Sequence, residues 1–386
     1  MSRRAFVIVM DACGAGELPD AAEYGDVGAN TLGHVAEAVG GLDLPAMQAL
    51  GLGSILRLHG CPPAEAPVVH GRLHPLGPGK DTISGHWELM GVVTPVPLRT
   101  YPDGFPPDVI ALLEEATGRG ILCNRPYSGT AAIDDFGDEH VRTGDLIVYT
   151  SADSVLQIAA HDAVVPTEEL YADCRAAREI MTGEHAVGRV IARPFTGEPG
   201  AFTRTEGRKD LALDPPGRSY LEELQQDGIP VHTVGKIGSV FNHVGVDEEH
   251  PGATNAAAIA ATDRLIDDLD AGLVFANLVE TDQVYGHRQD VPGFHHALRE
   301  IDAAVATWTT TLDPGRDLLV LTADHGCDPT TPGTDHTREH APLLAVFENH
   351  GGRRHDGLLA DVGASVLRWL ADRDAPALPG ASFLTS

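Results

Sequence analysis

Cysteine is scarce. The 386 residues hold five, Cys13, Cys61, Cys123, Cys174 and Cys327, an odd and scattered set with no C-x-x-C. A disulfide framework is excluded, and a reducing cytoplasm fits. Basic residues are also few: 27 Lys and Arg stand against 56 Asp and Glu, for a formal net charge of −29. Such a chain repels phosphate backbones and anionic lipid, which argues against nucleic-acid and membrane partners. For most of the carboxylates the role is solubility. An acidic enzyme that takes a phosphate ester needs local positive charge, from metal ions or clustered arginines. Long apolar runs are missing as well. The run at 5–10, after Arg3 and Arg4, stops at Asp11. It falls short of the about 7–15 residues of a signal peptide and the roughly 18 of a membrane span. No repeat or low-complexity tract occurs, and no obligate protein partner is evident. The expectation is a soluble, cytoplasmic protein.

What is present is ordinary globular composition, 42% hydrophobic and 22% charged, in a chain long enough for two or three domains. Apolar, β-branched runs at 5–10, 146–149, 190–192, 230–234, 274–278, 318–321 and 343–347 read as buried strands. Helical patterns lie between them. One covers 107–117, one runs from a Thr167 cap to about 181, and one covers 219–227. Another follows a Thr254 cap through 255–270, and two more cover 292–312 and 357–372. Continuous apolar strands alternating with helices predict an α/β fold whose mostly parallel sheet is covered on both faces. The proline-rich stretch 97–107 and Asp214-Pro215-Pro216-Gly217 read as hinges around an inserted smaller α/β domain. The expected division is a core of 1–100 and 214–386 with a cap domain of 101–213. Residues 61–80, rich in Pro and Gly, read as a long loop.

Four predicted strands end in acidic residues: Asp11; Ser151-Ala152-Asp153; Glu280-Thr281-Asp282 with His287 five residues on; and Asp324-His325-Gly326 with His336 eleven residues on. Ligands of open parallel sheets bind beyond the carboxyl ends of the strands, so these groups are expected to converge in one crevice. Three Asp and three His suffice for two divalent-metal sites, and the donor set admits Mn²⁺, Zn²⁺ or Co²⁺. His295 and His296 lie on a predicted helix and read as packed or solvated. In Gly79-Lys80-Asp81-Thr82-Ile83-Ser84-Gly85-His86-Trp87-Glu88 a hydroxyl residue enters a helix. It is suited either to an anion or metal or to plain capping, and Ser84 competes with Thr82 for the role.

The segments M-D-A-C-G-A-G-E-L-P-D (10–20), G-K-D-T-I-S-G-H-W-E (79–88), S-A-D-S-V-L-Q-I-A-A-H (151–161), G-R-V-I-A-R-P-F (188–195), F-T-R-T (202–205), G-K-I (235–237), T-D-Q-V-Y-G-H-R (281–288) and T-A-D-H-G…P-G-T-D-H-T-R-E (322–339) resemble the phosphopentomutases of the alkaline phosphatase superfamily. The resemblance implies an alkaline-phosphatase-like core and interconversion of ribose 1-phosphate and ribose 5-phosphate, or of their 2-deoxy forms. It implies two metal ions, usually Mn²⁺, one on Asp282, His287 and His336 and one on Asp11, Asp324 and His325. Thr82 would carry the phosphoryl group, primed by a sugar bisphosphate. Asp153, Arg189, Ile191 and Arg204 would face the sugar phosphate, with Lys236 nearby. The sequence departs from the family pattern after G-K-I, at Cys327 (usually Asn) and at Glu280 (usually Asp). A metal-dependent phosphatase or phosphodiesterase of the same superfamily is the alternative.

Overall fold

The computed structural model describes residues 2–151, 154–348 and 351–384. The chain forms two compact units: Pro97–Asp214, and the remainder, Met1–Val96 with Pro215–Ser386. In chain order the larger unit contributes β1 (Arg4–Met10) and β2 (Val69–His74). The smaller unit contributes β3 (Ile121–Pro126), β4 (Leu146–Thr150), β5 (Val155–His161), β6 (Arg189–Thr196), β7 (Thr203–Arg204) and β8 (Lys209–Ala212). The larger unit then resumes with β9 (Val231–Val234), β10 (Glu248–His250), β11 (Gly272–Leu278), β12 (Asp317–Thr322), β13 (Ala341–Val346) and β14 (Gly357–Leu358).

The core sheet has the order β10-β9-β11-β1-β12-β13-β2-β14. β10 to β12 run parallel, and β13 lies antiparallel to both β12 and β2. Every residue of β1, β11 and β12 is buried, as expected of central strands covered on both faces. A buried ion pair fixes the register at the base of the sheet. Arg4, opposite Asp317 in the ladder, donates Nε and Nη2 to the two Asp317 oxygens, each at 2.8 Å.

The smaller unit has its own sheet, β3-β4-β5-β6-β7, with β8 also on β6. Side chains alternate along β4. Leu146 and Val148 pack among Val109, Leu113, Leu170 and Cys174 from the helices Pro107–Thr117 and Thr167–Ile180. Ile147 and Tyr149 face Ile133 and Phe195 on the other side.

Three expectations need correction. The stretch 61–80 is not all loop, because β2 lies within it and pairs with β13. Thr167 sits inside its helix, and Pro166 is the cap residue. Gly357 belongs to β14, and the last helix starts at Asp361. β4 lies in the smaller unit's sheet, so three of the four acidic strand ends leave the core sheet. Among the described residues no helix is long and apolar enough to cross a membrane.

Candidate metal centre

Register puts the site together. Val9 of β1 lies opposite Thr322 of β12, so Asp11 and Asp324, each two residues further on, leave the sheet at one level. Met10 lies opposite Leu278 of β11, beyond which Thr281–Tyr285 forms a π-helical turn carrying Asp282. Such turns are frequent at functional sites. A short 3-10 turn, Gly286–Arg288, follows with His287. Local bonds hold these pieces together. Thr281 Oγ1 donates to the Asp11 carbonyl at 2.6 Å. Ala12, at φ 61°, turns its N–H onto Asp324 Oδ1 at 3.2 Å.

The six Asp and His residues meet at this end of the sheet. His287 Nε2 and His336 Nε2 are 3.1 Å apart, and each faces Asp282 Oδ1, at 3.5 and 3.4 Å. His325 Nε2 lies 3.5 Å from Asp11 Oδ1 and 3.2 Å from Asp324 Oδ2. Asp282, His325 and His336 also group together. Donor atoms spaced about 3.4 Å apart are what bonds of about 2.1 Å to a tetrahedral divalent ion require. The tautomers suit that role. His287 Nδ1 donates to the Thr334 carbonyl at 2.6 Å and His325 Nδ1 to the Gly326 carbonyl at 3.0 Å, which turns both Nε2 atoms inward.

The carboxylates are buried, and among the described residues Asp11 Oδ1, Asp282 Oδ1 and Asp324 Oδ2 have no hydrogen-bond donor in bonding geometry. The electrostatics follow from that crowding. Burial and the charge of Asp324 raise Asp11 to about 6, against the pull of Lys236. Burial disfavours a charged His325, but Asp324, Asp282 and Asp11 outweigh it and raise it to about 10. The field that holds this extra proton is the field a divalent cation would neutralise. The donor set and the orphaned oxygens fit divalent metal.

The helix Thr82–Leu89 carries both candidate hydroxyls, Thr82 and Ser84, in different settings. Its N-cap is Asp81, whose Oδ1 accepts from the Ile83 and Ser84 N–H groups, while Ser84 Oγ bonds back to Asp81. Ser84 is thus buried and spent on a capping box, and Thr82 is not the cap. Thr82 Oγ1 lies 3.2 Å from His325 Nε2 and 3.3 Å from Lys236 Nζ. Lys236 follows β9 and places Nζ 2.5 Å from Asp11 Oδ2. Burial works against its charge, but Asp11, Asp324 and Asp282 raise its pKa, so the ammonium is retained.

Two neighbours carried no assigned role in the sequence. His86 is fully buried. Its Nδ1 donates to the Thr82 carbonyl at 2.8 Å and lies 3.0 Å from Asp324 Oδ2, while its Nε2 accepts from Asn277 Nδ2 at 3.0 Å. The i, i+4 spacing of Thr82 and His86 on one helix was the available signal. Cys327 groups with Asp282 and His287. Burial, reinforced by Asp282, pushes its thiol pKa up, so it stays protonated and its Sγ contacts the Asp335 carbonyl at 3.7 Å.

Arg189, Ile191 and Arg204 belong to the smaller unit. Arg189 opens β6 and pairs with Asp210 at 3.6 Å. Arg204 is exposed on β7. Ile191 is 3% exposed within the sheet, paired with Gln157 of β5 on one side and Asp210 of β8 on the other. Arg193 and Arg208 extend this basic group, held by Gln157 at 2.6 Å and by Asp210 at 2.7 Å. Asp153 lies outside the described residues.

The family model of the metalloenzyme superfamily matches residues 3–371. The chain is 50% identical to a phosphopentomutase of Anaeromyxobacter dehalogenans, covering 100% of this chain and 99% of that one. It is 47% identical to one of Caldanaerobacter subterraneus, covering 100% and 98%. Among solved structures, the PH0037 protein of Pyrococcus horikoshii shares the fold with a TM-score of 0.52 and 15% identity, covering 99% of this chain and 100% of that one. The chain belongs to the phosphopentomutase family of the metalloenzyme superfamily.

Proposed function

We propose that this chain interconverts ribose 1-phosphate and ribose 5-phosphate, and the 2-deoxyribose pair, by phosphoryl transfer through Thr82. The observation that carries the reading is the Thr82 hydroxyl, 3.2 Å from His325 and 3.3 Å from Lys236, beside donors that suit two cations. Asp282, His287 and His336 would hold one ion and Asp11, Asp324 and His325 the other, with Mn²⁺ the usual metal of the family. Bound there, the ions supply positive charge and lower the pKa of a neighbouring hydroxyl. Lys236 donates to Thr82 Oγ1 and offsets part of the aspartate charge. His86 anchors the first turn of the helix through the Thr82 carbonyl, which fixes where the hydroxyl points.

In the competent form Thr82 carries a phosphoryl group, primed by a sugar bisphosphate. Transfer breaks the Thr82 Oγ1–P bond as a bond forms from phosphorus to the free hydroxyl of the sugar monophosphate; that hydroxyl gives up its proton and the freed Thr82 Oγ1 takes one up, so no net proton is released. The resulting bisphosphate returns its other phosphoryl group to Thr82 and leaves as the isomer. Arg189 and Arg204 are proposed for the non-reacting phosphate, because a guanidinium fork matches phosphate oxygens. Asp153 is proposed for the ribose hydroxyls, and Ile191 is proposed to face the sugar phosphate. The partner is a small sugar phosphate, met in the cytoplasm, with no nucleic acid, membrane or obligate protein partner.

The test is ³¹P NMR of the protein with ribose 5-phosphate, Mn²⁺ and catalytic sugar bisphosphate. Growth of ribose 1-phosphate without free phosphate is the expected outcome. Inorganic phosphate as the sole product would turn the reading into a phosphatase.

A further inference from the structure

A second group of metal-type donors lies at the edge of the core sheet, away from this centre. β10 runs parallel to β9, with Glu248 opposite His232 and His250 opposite Val234. His232 Nδ1 and His250 Nε2 are 3.1 Å apart, and Glu248 Oε2 lies 3.7 Å from the first and 3.9 Å from the second. The two rings are stacked, 24° from parallel. These three distances are the sides of one triangle. The point equidistant from its corners lies about 2.1 Å from each, the length of Zn–N and Zn–O bonds.

One hydrogen bond lies within the cluster, between the two ring nitrogens. It leaves the carboxylate out: Glu248 Oε2 is too far from either ring nitrogen for a hydrogen bond, yet it faces both. His232 is buried. The frame around the cluster is built without any ion. Asp247 Oδ2 accepts from the Val231 N–H at 2.8 Å, Asp247 Oδ1 accepts from Gln225 Nε2 at 2.8 Å, and the Gly235 N–H donates to the His250 carbonyl at 3.1 Å. Two imidazoles and one carboxylate suit a borderline divalent ion.

We propose that His232, Glu248 and His250 form a third metal site, separate from the dinuclear centre, which takes a Zn²⁺-type ion and staples the edge strand β10 to β9.

The test uses full-length protein freed of metal with a chelator and then saturated with Zn²⁺. Metal content is measured after gel filtration, and crystals are examined at the zinc absorption edge. Wild type should hold three ions per chain, with one anomalous peak among these three side chains. His250→Ala and Glu248→Ala should each hold two, with the Mn²⁺-supported activity of the centre retained. Glu248 is exposed, so its variant carries the test should His250→Ala fold poorly. Two ions in wild type, three in both variants, or no peak at the cluster would overturn the proposal.

Discussion

At Thr82 and Ser84, two hydroxyls two residues apart have opposite fates, because a capping box consumes one of them. Thr82→Ala should remove phosphoryl uptake and mutase turnover while metal content stays near wild type. Intact-mass and metal analysis check both. Ser84→Ala should keep most of the activity and lower stability by about 1 kcal/mol, the ordinary net worth of one hydrogen bond. Equal loss of activity in the two variants would overturn the assignment of Thr82 as carrier. Asp173, on the helix Thr167–Ile180, offers a pH-dependent contrast. It is buried, its Oδ2 has no hydrogen-bond partner among the described residues, and burial raises it to about 6. A carboxyl raised in the folded state favours folding while protonated. Its contribution is present below the unfolded pKa of about 4 and is lost as pH rises to about 6. Asp173→Asn should therefore raise the melting temperature at pH 8 and leave it nearly unchanged at pH 4. An equal change at both values would mean that the carboxyl charge is not the cause.

The helix Thr82–Leu89 approaches Asp324 closely because residue 85 is glycine. A Cβ there would stand 2.4 Å from the Asp324 carbonyl oxygen. In an exposed helix Gly→Ala adds stability, about 1 kcal/mol. Here Gly85→Ala should push the helix off Asp324 and draw Thr82 from His325, cutting kcat at least tenfold in a protein that still folds. Steady-state kinetics beside a thermal melt separate the two effects.

The same scale explains what could be read from the chain alone. β1, β11 and β12 are predominantly apolar, as central strands need to be, and each ends near an acidic ligand candidate. β2 escaped notice because its residues include His70, Gly71, Arg72 and His74, a composition that an outer strand between β13 and β14 tolerates. β4 carries the same apolar signal as the core strands, and only the proline-rich hinges on either side of 101–213 assign it to the inserted domain. The six Asp and His positions were legible from strand ends and short spacings. The place of His86 beside Asp324 was not, because 238 residues separate them and only the folded register brings them together.

For the whole molecule, the net charge of −29 and the buried cluster of Asp11, Asp282 and Asp324 act in one direction. Both make the metal-free protein electrostatically strained, with Lys236 the nearby counter-charge. Chelation should lower the melting temperature, and Mn²⁺ should restore it in a concentration-dependent way, as binding to the native state alone requires. Added KCl should give a smaller rise, because screening reaches exposed charges more than buried ones. A melting temperature indifferent to chelation would argue that the aspartates are satisfied without metal.

The position of β1 between β11 and β12 has a consequence for biosynthesis. Arg4 pairs with Gly272 and Asp317, and among the described residues β1 has no other strand partners. During translation β1 must therefore wait for partners that emerge more than 260 residues later. At roughly 5–20 residues per second, that is a delay on the order of a quarter of a minute to a minute. The smaller unit, whose strands are contiguous in sequence, is complete well before then. Between residues 214 and 272 the nascent chain thus carries one complete domain beside an apolar strand that still lacks both partners, the segment a ribosome-associated chaperone would be called on to shield.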